Sequence, residues 1–598
     1  MAEEKKKLRR LRRAEKEKDE KKQDLSSQFK ISYRSLEDPK KYFKQILLPL
    51  IFMGILVFCT PFILGLVVPV PLNLNPITFI VGGTIPILLG VLYPFISWKN
   101  KEADINGKMH FFITHLRVLA ISDLSLRDII NVLGGKKAYG SLGEELKRIS
   151  VLSTQWRVPL SKSFRFASER TSSKILKDFL DRFSQSLDSG VDHREFIETE
   201  QEAVLQEYKT MYETSSENIL ILNEVYVSLL IAIIFVMCLG IVLPIIIGAQ
   251  DMNLFIYISS FMLIISEGML LYLLRAMVPA DEIWHQTGEK GKMEIDLNRL
   301  FKSCLLASLL LGSALFFAKY GSLSVPFIKM IPFEIMVAIS ITPLLIPGIR
   351  IFIEERNITR KEVNFLGFLP ALGSISTMRG GKINESVYYL SEKDYGVLTR
   401  HIRNLYKRLR TRIDDDVAWE WFGVDTGSNY IQRSSEMFRE ATYAAANPRK
   451  VSRMISENIR KIRDLRVKKL TIINTTAALF AGITFGIAFC IYISLVIGRY
   501  LNDIMIQTGN PFNTEGLGNV GTGVGGLLNT VPPYVYANSF IIIFFVLVVH
   551  CFLMAITLRT MRGSHILVTL LFFVPFVWIV AITSLIVDVF IKGILTGY

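Results

Sequence analysis

The 598-residue chain is predicted to be an all-α polytopic membrane protein, with about nine transmembrane helices carrying two homologous cytoplasmic helical-bundle domains. Three observations carry that prediction. Half of the residues are hydrophobic and the mean hydropathy is +0.36, with the apolar residues gathered into long runs. The basic residues crowd between some of these runs and are nearly absent between others. Finally, a polar segment recurs: Lys137-Ala-Tyr139-Gly140-Ser-Leu142 is answered 256 positions later by Lys393-Asp-Tyr395-Gly396-Val-Leu398. In the same frame Leu146-Lys-Arg-Ile149 answers Ile402-Arg-Asn-Leu405, and one residue out of frame Arg182-Phe183 answers Met437-Phe438. A whole module, not one hexapeptide, is duplicated.

The apolar runs lie near 45–67, 77–97, 219–248, 253–274, 301–318, 331–352, 471–498, 536–557 and 566–590. Each is close to or above the roughly 20 residues a helix needs to cross the hydrocarbon core. Backbone polar groups in lipid must be satisfied internally, and the alternating pattern of barrel strands is missing, so these runs are read as helices.

In chain order, residues 1–44 form a charged cytoplasmic tail, and 45–97 a transmembrane hairpin turning through Pro69-Val-Pro71 to Pro76, prolines that cannot continue a helix. Residues 98–218 form the first cytoplasmic domain, where Phe112, Leu116 and Leu119, then Leu142, Leu146 and Ile149, return at helical spacing. Ser172 or Ser173 begins, and Ile175, Leu176, Phe179, Leu180 and Phe183 fill, an amphipathic helix that turns back near Gly190. Residues 219–353 hold four spans with a basic loop from Met277 to Lys302. The second cytoplasmic domain, 354–470, turns at Asn447-Pro448, where the first has Gly190; 471–598 hold three spans and a Gly-rich outer loop at 499–535.

The net charge of +15 follows the sides of a membrane rather than one nucleic-acid-binding face. Lys and Arg crowd 1–45, 98–215, 275–302, 355–470 and 559–562, whereas the connections 68–76, 249–252 and 499–535 carry only Arg499. The positive-inside rule therefore places the amino terminus and both domains in the cytoplasm and Tyr598 outside, with Lys319, Lys329 and Lys592 discordant. The first run is longer than the apolar core of a signal peptide and follows more than 40 charged-rich residues, so it is read as a span. Cys59, Cys238, Cys304, Cys490 and Cys551 lie in apolar runs without metal-ligand spacing.

No catalytic constellation is legible, and no cofactor or metal is expected. Gly134-Gly-Lys136 and Gly380-Gly-Lys382 lack the earlier Gly and the following Ser or Thr of a phosphate loop. Gly516-Leu-Gly518-Asn-Val-Gly521 spells a dinucleotide fingerprint but sits between two spans, with no strand leading into it. Glu267 and Glu334 are costly in lipid and should face other helices or water; His550 reads as a packed polar residue. Tyr139, Gly140, Leu142, Tyr395, Gly396 and Leu398 read as the structural core of the repeat. Arg403, Lys407, Arg408, Arg410 and Arg412, with Arg460, Lys461 and Arg463 in the run 449–469, have two explanations: charge set by topology and anionic lipid, or docking of an acidic partner.

Lys137-Ala-Tyr-Gly-Ser-Leu-Gly-Glu-Glu-Leu-Lys-Arg-Ile149, Thr154-Gln-Trp156 and Asp178-Phe-Leu-Asp-Arg182, with Asp425-Thr-Gly-Ser428, Ile431 and Phe438, resemble the platform proteins of type II secretion and type IV pilus machines. The closer resemblance is to their archaeal branch, the archaellum assembly platforms. It covers roughly 45–590 and implies a non-enzymatic membrane anchor on which a secretion-type hexameric ATPase acts, lifting archaellin or pilin-like subunits into a filament and turning it beside other archaellum motor proteins. A platform of an adhesive archaeal pilus is the neighbouring reading. A homodimer is expected, because a two-fold assembly of duplicated chains offers a ring-like surface to a hexamer. A secondary transporter, the rival from another class, would need paired broken helices with convergent polar groups.

Overall fold

A computed structural model of the protein describes residues 76–247, 252–278, 281–287, 289, 291–320, 331–411, 413–507 and 533–595, with a few positions between 42 and 55. Among the described residues the chain is helical, with an isolated antiparallel bridge between Trp284 and Ser428 and no strand. Almost all of the charged tail and first span, Lys329, Arg412 and the outer loop from 508 to 532, including Gly516 to Gly521, lie outside the described residues.

The helices are α1 (Pro76–Ala120), α2 (Leu126–Gly134), α3 (Ser141–Thr154), α4 (Leu160–Ser168), α5 (Lys174–Asp188), α6 (His193–Ile247), α7 (Met252–Met277), α8 (Lys292–Tyr320), α9 (Phe333–Ile341), α10 (Leu345–Met378), α11 (Ile383–Ser391), α12 (Thr399–Arg410), α13 (Asp415–Thr426), α14 (Asn429–Tyr443), α15 (Pro448–Gln507), α16 (Pro533–Arg562) and α17 (Thr569–Leu595). Among the described residues seven helical stretches are long and apolar enough to cross a membrane, in α6, α7, α8, α9 with α10, α15, α16 and α17. They coincide with the third to ninth expected runs; the second lies within α1. The sixth is broken where Pro343 interrupts the helix as a 3-10 turn at Thr342–Leu344, and Trp578 Nε1 donates to Thr342 Oγ1 there at 3.0 Å.

The positions expected to separate modules from spans, near 218, 353 and 470, fall inside α6, α10 and α15. No Gly or Pro stands between His193 and Gly240, or between Pro448 and Gly482, so α6 and α15 continue while their composition changes from charged to apolar.

The described residues separate into two compact units. The first comprises residues up to Met109 and Leu126–Phe196. Its core is aromatic: the Phe164 and Phe183 rings lie 4.8 Å apart and Phe183 and Phe196 4.9 Å apart. Ser173 caps α5 by accepting from Leu176 N–H at 3.1 Å while its own hydroxyl donates to Asn106 Oδ1 on α1.

The second unit comprises His110–Ser125 and Ile197–Tyr598. Its membrane part buries Tyr226, Leu230, Ile487, Leu547 and Val577 in one apolar cluster drawn from α6, α7, α15, α16 and α17. Its polar part, α10 to α14 with the start of α15, repeats the order of α1 to α6. Ser428 caps α14 by accepting from Ile431 N–H at 3.2 Å and donates to Glu362 Oε1 on α10 at 2.6 Å. Asn106 and Glu362 are 256 positions apart, the two capping serines 255, so the duplication extends into the long helix that precedes each module.

Candidate functional site

The basic residues on α12 fall on a face dictated by helical spacing. Ile402, Leu405 and Leu409 are buried, which turns Arg403, Lys407 and Arg410 outward at i, i+4 and i+7. Arg403 Nε donates to the Ser391 carbonyl at 3.2 Å, fixing α12 to the end of α11. Arg408 is used internally: its Nη2 lies 2.7 Å from Asp425 Oδ2 on α13. Aromatic groups border the exposed face, with Tyr388 and Tyr406 rings 5.1 Å apart and the Arg379 guanidinium 3.8 Å from the Tyr389 ring. Exposed cations beside aromatic rings are the composition of an anchoring patch in protein recognition. Arg460 and Lys461 are exposed on a separate helix, α15, while half-buried Arg463 lies 3.8 Å from Asp464.

The six repeat-core residues build one turn twice. Gly140 and Gly396 take φ of +51° and +58°, values that disfavour any side chain. A Cβ at Gly140 would come 2.5 Å from Lys108 Nζ, and one at Gly396 2.7 Å from Asn364 Nδ2, partners again 256 positions apart. Tyr139, Leu142 and Leu398 are buried; Tyr395, half-buried, meets Phe368 edge-on at 5.5 Å. The two turns differ in what holds the backbone. Asp104 on α1 accepts from Ser141 N–H at 2.9 Å, whereas the second turn holds itself through Asp394, which accepts from the Thr399 hydroxyl and Gly396 N–H at 2.8 and 2.9 Å.

Behind the second module lies an ionic junction that the sequence reading did not find. Arg466 on α15 donates Nε and Nη2 to Asp281 at 2.9 and 2.6 Å, and Nη1 to Glu362 on α10 at 3.2 Å. Tyr430 and Tyr212 hydroxyls donate to Asp281 at 3.2 and 3.3 Å, and Tyr430 also lies under the guanidinium, 4.3 Å away. Burial alone would raise the Asp281 carboxyl; the two-pronged Arg466 contact outweighs it and holds this carboxyl well below the usual range. Glu362 receives only one bond from Arg466, and there burial prevails, raising its pKa. Burial lowers the Lys469 ammonium to about 8 beside the same cluster.

Asp281 belongs to the segment after α7, expected only as a basic loop. That segment is strapped onto the module: Asn429 N–H donates to the Ile283 carbonyl at 3.0 Å and His285 N–H to the Gly427 carbonyl at 3.2 Å. Glu355 on α10 accepts from Trp284 Nε1 at 3.1 Å and from His565 N–H, at the start of the last span, at 2.9 Å. The junction therefore ties α6, α7, α10, α14, α15 and the α16–α17 connection together. The only local signal was the charged sequence Glu354, Glu355, Lys361, Glu362 directly after a span.

Of the intramembrane acids, Glu267 on α7 is fully buried and paired with His550 Nδ1 on α16, whose Nε2 lies 3.2 Å from Thr484 Oγ1 on α15. Glu334, also buried, stands in the first turn of α9 after Pro332. Among the described residues no three His, Cys, Asp or Glu side chains converge as a metal site.

A family model described as type II secretion system (T2SS), protein F, matches residues 112–241. The chain is 32% identical to the flagella accessory protein J of Methanocaldococcus jannaschii over 93% of its own length and 96% of that protein's. To the flagella accessory protein J of Methanococcus voltae it is 31% identical, over 93% and 97%. An uncharacterized protein of M. jannaschii matches at 24% identity over 24% of each chain. No solved structure matches.

Proposed function

The chain belongs to the flagella accessory protein J family, a multi-pass membrane platform of the archaellum and type IV pilus kind, and from that premise we propose that it couples a cytoplasmic hexameric ATPase to filament assembly and rotation. The ATPase docks on the exposed Arg403, Lys407 and Arg410 face with its aromatic border, and the subunits handled are archaellins. The observation that carries this reading is that the basic face stands on a module joined to membrane helices through the buried Asp281–Arg466–Glu362 junction. Force applied to α12 has a buried, ion-paired route into α10 and α15. No catalytic step is assigned to the chain, which serves as the anchor on which the motor works, with both modules in the cytoplasm.

Reversing Arg403, Lys407 and Arg410 to Glu tests the proposal in the detergent-solubilised full chain. Pull-down of the secretion-type ATPase should fall at least tenfold, and wild-type binding should weaken as salt rises, since screening at about 0.15 M acts over roughly 8 Å. Membrane insertion should persist, because the remaining charges still set orientation. Undiminished, salt-sensitive binding by the triple variant would move the docking site elsewhere, first to Arg460 and Lys461.

A further inference from the structure

α4 and α13 occupy the same place in the two modules, following the turn and the helix that the repeat defines, yet their exposed faces carry opposite charge. On α4, Lys162 and Arg165 face outward with Phe166, whose ring lies 3.9 Å beneath the Arg170 guanidinium. Just before the helix stand Trp156, 73% exposed, and Arg157, whose φ of +52° is a left-handed conformation disfavoured for a non-glycine residue. An outward Trp next to a strained Arg is unfavourable for the isolated module on both counts, and Trp and Arg are the residues that anchor interfaces. On α13 the outward face is Val417 and Glu420 with Asp416, whose carboxylate also pairs with Arg439 of α14, continued by Tyr443 of α14, which donates to Asp415 at 2.6 Å and is 53% exposed.

We infer that these two faces are partners between copies: α4 with Trp156 of one chain docks on α13 and Tyr443 of a second copy. The contact joins a cationic, aromatic surface to an anionic surface with its own apolar residues. Each chain carries both faces, so copies of this chain alone supply both sides of the contact. The inference rests on the platform reading for its setting, but it concerns self-association and leaves α12 free for the motor.

The test uses differently tagged full-length chains, co-expressed and solubilised in detergent. Lys162→Glu with Arg165→Glu, or Val417→Lys with Glu420→Lys, should each cut co-purification of like variants at least tenfold. Pairing the first variant with the second should restore it to near wild-type, since one contact is then unaltered and the other has its signs exchanged. Trp156→Ala should weaken self-association about tenfold without changing its salt dependence. The inference is overturned by like variants that still co-purify at wild-type levels. It is overturned equally if only the α4 variant loses association and the mixed pair fails to restore it, which would assign that face to another acidic protein. ATPase pull-down from the same samples should be unchanged; its loss in the wild-type chain would instead count against the platform reading.

Discussion

The two modules share their backbone devices and differ in their charges. Each has a left-handed glycine before its third helical segment, each has a capping serine tied to the long helix, and each ends its fifth helix in a left-handed residue. Where the first module joins Ser173 to the neutral Asn106, the second joins Ser428 to Glu362, and Glu362 to Arg466; Met211 holds the place of Arg466 in the first copy. The α3 helix of the first carries mixed charge, while α12 is cationic, and α4 and α13 have opposite signs. Duplication has kept what fixes the chain path and let the polar contacts diverge, so the second module is the one welded to its membrane helices by ions.

The strongest way to break that contrast is Asp281→Asn. It keeps the shape and removes the charge that two prongs of Arg466 require, leaving a buried guanidinium with only Glu362. The expected loss is about 3–5 kcal/mol, seen as reduced thermal stability and yield of the solubilised chain. Asn106→Asp, at the first module's counterpart of Glu362, should cost far less, since that side chain is only half-buried. Comparable losses at the two sites would show that the ionic junction is not what distinguishes the modules.

Acidification sharpens the comparison further. Burial, with Lys361 nearby, depresses the His401 imidazole to about 4, below the roughly 6.5 of the unfolded chain. The unfolded state therefore binds the proton first, and the stability present above pH 6.5 is lost as pH falls toward 4, by about 1–2 kcal/mol at pH 5. Glu145 stands at the matching position of α3, so hydrogen exchange of α12 but not of α3 should accelerate in this window. His401→Asn should remove the difference.

The smallest effect comes from exchanging the residues that end α5 and α14. Gly190 and Ala445 have φ of +71° and +65°, and the residues after them donate back to Ser186 and Ala441 at 3.1 and 2.9 Å, the same closing pattern in each copy. Gly190→Ala should destabilise by about 1 kcal/mol and Ala445→Gly should stabilise by up to about that much. Thermal melts with opposite signs would confirm that the two turns are equivalent; equal signs would separate them.

Much of this architecture was legible in the sequence. Apolar run length identified the seven described spans, and the spacing of Leu176, Phe179, Leu180 and Phe183 identified both the helix and its buried face. The Tyr-Gly-x-Leu repeat marked a turn whose glycines do require positive φ. Periodicity reports which face of a helix is buried, however, and not which acid meets which base. Asp281 and Arg466 are separated by 185 positions and were hidden inside segments that read simply as basic. Helix boundaries were hidden for a related reason: a change of hydropathy without Gly or Pro moves a helix from water into lipid without ending it. The pairing of Glu267 with His550 likewise needed the packing of α7 against α16.

The unbroken α15 has a consequence for timing and phase. Sixty residues make a rod of about 90 Å, with its first Gly 34 positions after Pro448 and no proline in its interior. Such a rod has no joint in which a twist can be absorbed, so its length counted in residues also sets an angle. Adding one residue advances the far end by about 1.5 Å and turns it by about 100°. Only lengths that differ by nearly whole numbers of turns, such as 7, 11 or 18 residues, would leave the angular setting of the module almost unchanged. The chain between module and membrane is thus a shaft whose permissible lengths are quantised by the helical repeat.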